Sequence, residues 1–156
     1  KAVNVQRFVM SIATLGEGPK TPLPMRAMRK AIEPAMLYNG GCNDGFLRKD
    51  ALLAVVVLNG EQDNLSPGTP QQWYDALVAA KKGDEEAIVT LVLSNDKELP
   101  DSVCKHEPMW GPNPLRLFAE AAAHGRFESI CAPSYVPALK ATAATILEQC
   151  ALLIPQ

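Results

Sequence analysis

DALLAVVVLNGEQDN, residues 50–64, is the stretch that decides the fold. Its middle is apolar without a break and rich in β-branched residues, with none of the polar alternation of a strand that has one wet face. A run of this length and composition is expected as a strand covered on both faces, the pattern of a parallel sheet with helices above and below it. It then passes directly into a polar, acidic turn, Asn59-Gly60-Glu61-Gln62-Asp63. In parallel sheets the strand ends on one edge carry the groups that meet ligands, so this turn is the first candidate site.

The flanking segments repeat the alternation. AIVTLVLS (87–94) is a second buried strand, and FESIC (127–131) a short third one. Between the first two lies a helix with Thr69 as N-cap, Pro70 at its first position and Gly83 at its stop. Between the second and third lies LRLFAEAAAHG (115–125), an Ala-rich helix closed by Gly125. PSYVPALKATAATILEQCALLI (133–154) is the last helix. Towards the N-terminus, Val5, Phe8, Val9 and Ile12 share one helical face. Gly and Pro then break the chain, and Met25, Met28, Ile32 and Met36 mark a second helix ending near Pro34 to Tyr38, with the spacing of core packing. The order α-α-β-α-β-α-β-α predicts an α/β fold: a doubly wound, Rossmann-like, mostly parallel sheet with right-handed crossovers and helices on both faces. Such sheets usually have five or six strands, so the three seen here predict a fold incomplete on its N-terminal side, its first half outside this chain or supplied by another.

At 156 residues the chain fits a single domain. A net charge of −2, with no basic patch interleaved with aromatics, points away from nucleic acid. The longest apolar run, Ala51 to Leu58, is too short to cross a bilayer. Lys1 opens the chain with no charged region ahead of an apolar one, as expected of a mature or excised segment. The four cysteines, Cys42, Cys104, Cys131 and Cys150, include no CxxC pair, which favours two disulfides in an exported protein over a zinc site. Cys104 with His106 is the nearest approach to a metal pair, and supports the alternative of a small metal-dependent hydrolase; a purely structural subunit of a larger assembly is the other alternative. His124, next to Gly125, is expected at a helix C-terminus in a structural role.

MRAMRKAIEP, GFLRKDALLAVVVLNGEQDNLSP and LRLFAEAAAHGRFESICAPSYVPAL together resemble the C-terminal half of von Willebrand factor A-like domains, as in exported proteins and lipoproteins of myxobacteria. The resemblance runs over residues 20 to 150 and is carried most specifically by GFLRKDALLAVVVL and SICAPSYVPAL. It implies a non-enzymatic module for adhesion or protein–protein binding, exported to a periplasmic, outer-membrane-attached or extracellular location. It also implies a metal-ion-dependent adhesion site built from DxSxS, a Thr loop and an Asp at the end of the fourth strand. This chain has no DxSxS. On the fourth-strand motif Asn59 takes the Ser/Thr place, Gly60 that of the metal Asp, and Asp63 a later acidic place, while Thr21 is the candidate of the Thr loop. A site of Thr21, Asn59 and Asp63 would hold Mg²⁺ or Ca²⁺ weakly, because carboxylates supply most of the attraction for these ions. No other cofactor is expected. The binding surface is expected at the carboxyl edge, through Glu61 and Asn64 of the turn, the loop 94–114 with Trp110, and the segment around Thr21. A protein partner or an extracellular ligand would meet it there.

The polarity of a parallel sheet also sorts the cysteines. Cys104 and Cys131 follow strands and belong to the carboxyl edge; Cys42 and Cys150 belong to the opposite one. Of three connectivities, Cys104 with Cys131 and Cys42 with Cys150 is therefore expected. The first would staple the long loop after the second strand.

Overall fold

A computed structural model describes residues 21–48, 50–108 and 111–153. In chain order its elements are α1 (Pro24–Ala31), α2 (Pro34–Leu37), β1 (Leu53–Asn59), α3 (Pro70–Ala80), β2 (Ile88–Ser94), α4 (Pro114–Ala121), β3 (His124–Ser129) and α5 (Val136–Leu153). The helix expected on Val5, Phe8, Val9 and Ile12 lies outside the described residues, as does Trp110.

The three strands form one parallel sheet in the order β1-β2-β3. Strand β2 is central and buried at all seven positions, because its bare apolar run has a strand on each side and helices above and below. One face of the sheet holds the main core. Leu53 and Val57 of β1 and Ile88 and Val92 of β2 pack there against Met25 of α1, Trp73, Tyr74 and Leu77 of α3, and Leu115 and Phe118 of α4. The other face is thinner: Leu91 and Leu93 meet Ala138 and Tyr135 under α5. Both crossover helices, α3 and α4, lie on the same face because each carries the chain one strand further in one direction, and right-handed connections then fall on one side. The α/β architecture with helices on both faces and a parallel sheet is as expected from the sequence.

Local chemistry accounts for the boundaries. Helix α3 starts with a capping box: Gln72 N–H donates to Thr69 Oγ1 at 3.3 Å, and Thr69 N–H donates to Gln72 Oε1 at 3.0 Å. Pro34 splits the expected Met-rich helix into α1 and the single turn α2, since a proline cannot supply the amide that would continue α1. The largest departure is at the third strand. Helix α4 stops at Ala121 and β3 begins at His124, so Gly125 does not close the helix but sits in the strand. A Cβ at Gly125 would lie 1.8 Å from Ala119 O, so glycine is what allows β3 to press against the last turn of α4. His124 therefore opens a strand, with Nε2 2.8 Å from Glu86 Oε2, and is not at a helix C-terminus.

Candidate binding edge

All three strands end on the same edge, and the loops leaving it are held by a layer of buried polar side chains. The turn after β1 is tied to the neck of α1. Asp63 is 1% exposed. Its Oδ2 accepts from Met25 N–H at 3.0 Å and from the Ser66 hydroxyl at 2.7 Å, and its Oδ1 accepts from Ser66 N–H at 3.0 Å. Ser66 Oγ in turn accepts from Arg26 N–H at 2.9 Å. Helix α1 has no capping side chain of its own, Leu23 being its N-cap, and these two distant residues satisfy the amides of its first turn. A carboxylate at the positive end of a helix is favoured electrostatically as well.

The turn is also bonded to the end of β2. Asn59 Nδ2 donates to Glu61 O at 2.7 Å, Ser94 Oγ to the same carbonyl at 3.3 Å, and Asn95 Nδ2 to Gly60 O at 2.9 Å. Asn113, fully buried, donates through Nδ2 to Ser94 Oγ and Asn95 O, at 3.1 and 2.7 Å, while its Oδ1 accepts from Leu115 N–H and caps α4. Asp96 accepts from Val103 N–H and Cys104 N–H, at 2.7 and 2.9 Å, folding the loop 95–113 back on itself. Glu98 Oε1 receives Asn113 N–H and Arg116 Nε, at 3.0 and 2.9 Å. Burial works against the Arg116 charge, but its hydrogen bonds to Glu98 and Glu120 outweigh that and raise its pKa.

Cys104 and Cys131 form a disulfide, with Ser129 Oγ 3.5 Å from Cys104 Sγ. The staple expected across the carboxyl edge is thus present. The second is not: Cys42 and Cys150 are free thiols. Cys42 follows α2, which packs on α1 over one face of the sheet, whereas Cys150 belongs to α5 on the other, so the sheet stands between them. Belonging to the same edge did not put the two on the same face.

Buried side-chain polar atoms with no hydrogen-bond partner concentrate here. Among the described residues they are Gln62 Nε2, Asn95 Oδ1, Glu98 Oε2, Ser102 Oγ and Thr90 Oγ1, and only Thr90 lies away from this edge.

Of the metal candidates, Asn59 and Asp63 are buried neighbours in the same turn and Thr21 is exposed ahead of α1. They do not fit a divalent ion. Asp63 has both oxygens engaged by Met25 and Ser66, Asn59 has its amide turned to Glu61, and Gly60 has no side-chain ligand while its carbonyl accepts from Asn95. Among the described residues no three of His, Cys, Asp and Glu are grouped to hold a metal. Cys104 is committed to the disulfide and His106 Nδ1 lies 2.9 Å from Leu99 O, so their loop presents no thiolate and imidazole pair. Glu61 and Asn64 are exposed, together with Leu65 beside them and Val103 on the stapled loop.

Sequence inspection passed over Ser94, Asn95, Asp96 and Asn113. The signal for them was a polar Ser-Asn-Asp immediately after an unbroken apolar strand, and Asn113 ahead of Pro114, the pairing of an N-cap with a first-turn proline. No family model, no curated protein and no solved structure matches the chain.

Proposed function

We propose that this chain is a non-enzymatic binding module of the von Willebrand factor A-like type, or the C-terminal portion of one, that engages a protein partner or extracellular ligand at its carboxyl edge. The observation that carries the reading is the exposed set Glu61, Asn64 and Leu65 on a turn held in place by Asp63, Asn59 and Asn95. A turn fixed by buried hydrogen bonds that presents polar and apolar side chains outward suits recognition. The metal-dependent adhesion site is vestigial: Gly60 replaces its carboxylate, and Asp63 serves α1. The Cys104–Cys131 disulfide supports an exported protein, since such bonds persist in oxidising compartments. The same bond counts against a hydrolase working through Cys104 and His106.

Two measurements test this. A photo-crosslinking residue at Glu61 is expected to capture a discrete partner from the native source, and the same group at Lys82, on the opposite edge, to capture none; equal labelling at both would overturn the reading. Titration of chelator-treated protein with MgCl₂, CaCl₂ and ZnCl₂ is expected to show at most millimolar binding. Micromolar Mg²⁺ or Ca²⁺ would mean a working adhesion site, and tight zinc would favour the enzyme.

A further inference from the structure

At the amino edge, opposite the carboxyl-edge turn, a cleft of about 490 Å³ opens between the end of α3 and the segment that leads into β1. Its walls are Leu47, Arg48, Ala80, Lys81, Lys82 and Asp84. Lys81 is 5% exposed, and its Nζ donates to Arg48 O at 2.9 Å and to Ala51 O at 2.6 Å. An ammonium carries three N–H donors, so one is left without an acceptor among the described residues. A buried charge is costly unless an opposite charge meets it. Among the described residues, however, Lys81, Arg48 and Lys82 enter no ion pair. Asp84 is the one acid on these walls, and its Oδ1 accepts Ala87 N–H at 3.2 Å, fixing the turn ahead of β2.

Cations gather at helix C-termini to meet the open carbonyls there. That role does not account for these three. At the end of α3 the carbonyls of Leu77, Val78 and Ala79 accept from the backbone N–H groups of Lys81, Gly83 and Lys82. The Lys81 ammonium turns away from the helix, to the carbonyls of Arg48 and Ala51. The helix end is thus closed by backbone, and the side-chain charges are left over.

We propose that this cleft binds a small phosphate monoester, its phosphate held by Lys81, Arg48 and Lys82 and its organic body laid against Leu47 and Ala80. A guanidinium can meet two phosphate oxygens in parallel, and ammonium groups add point charges. Three positive groups against one engaged carboxylate suit a phosphate, which carries close to two negative charges, better than a carboxylate with one. The volume falls in the range of small-molecule sites, and the apolar wall gives the body of the ligand a surface to cover. The cleft shares no residue with the carboxyl-edge site, so the two readings stand or fall separately.

The probe is phenyl phosphate, titrated into the full chain while amide chemical shifts are followed. The amides of Arg48, Ala80, Lys81 and Lys82 are expected to move together and saturate. Inorganic phosphate should bind more weakly for want of a body, and benzyl alcohol should move none of them. Arg48→Gln and Lys82→Gln leave the Lys81 bonds to the two carbonyls in place, so each should keep the parent's unfolding midpoint and weaken binding roughly fivefold. No saturable shift in the parent would overturn the proposal, as would unchanged affinity in both variants. A lowered midpoint with binding intact would assign the cations to the end of α3 and overturn it too. Inorganic phosphate binding as tightly as phenyl phosphate would remove the organic body from the site. Co-sedimentation with phosphatidic acid vesicles that Arg48→Gln abolishes would give the cleft to a membrane surface instead of a small molecule.

Discussion

Asp63 is the residue whose role the sequence and the structure describe most differently. By position it is an acid in the polar turn just beyond the end of β1. In space it is a buried acceptor of three hydrogen bonds that binds the turn to α1. Asp63→Ala would leave Met25 and Ser66 amides without partners, and is expected to lower stability by about 3 kcal/mol in denaturant unfolding, with faster amide exchange in α1. An unchanged midpoint together with lost divalent-ion binding would reverse the assignment. The two glycines at strand ends divide in the same way. Gly125→Ala sets a Cβ against Ala119 O and is expected to cost about 3 kcal/mol, whereas a Cβ at Gly60 meets nothing within 4 Å. Gly60→Ala should fall within about 0.5 kcal/mol of the parent. A one-dimensional reading sees two glycines beside apolar runs; only the approach of another backbone distinguishes them.

At the scale of elements, the strands and crossover helices were legible because each follows from local chemistry. Unbroken β-branched runs specify β1 and β2, and Thr69, Pro70 and Gln72 specify the start of α3. The loop 95–113 was legible as long, polar and stapled, but its internal bonding was not. Asp96, Glu98 and Asn113 act on partners 7 to 19 residues away, and no local period signals such contacts. Opening the staple tests how far that network suffices. Cys104→Ser with Cys131→Ser closes no loop in the unfolded chain, and a loss of about 3.5 kcal/mol is expected from the unfolding midpoint. Exchange should quicken at Val103 and Cys104 first. A loss below about 1 kcal/mol would mean that the Asp96 and Asn113 bonds alone hold the loop.

For the whole molecule, the main core reports on stability through Tyr74, buried between α3 and the α4–β3 corner and accepting Ala123 N–H on its hydroxyl. Burial raises its pKa above the ordinary 10.0, Glu85 and Glu86 add to the rise, and the Ala123 amide opposes it. A phenol that ionises later folded than unfolded contributes fully below about pH 10 and loses that contribution as pH rises towards the folded value. Urea midpoints are therefore expected to fall above pH 10 in the parent, and Tyr74→Phe to lack that share of the decline while starting lower for want of the Ala123 contact. An equal decline in both would exclude Tyr74 as the source.

The sequence by itself determined the α/β class and the parallel sheet, the Thr69-capped start of α3, and, because strand polarity sorts groups between the two edges, the pairing of Cys104 with Cys131. Only the tertiary structure decided the rest. It placed Cys42 and Cys150 on opposite faces, turned Asp63 from the solvent to α1, and left Val56 and Leu58 exposed on β1 while β2 is buried at every position. Edge and period are properties of a chain read in order, whereas face and neighbour depend on where the helices come to lie.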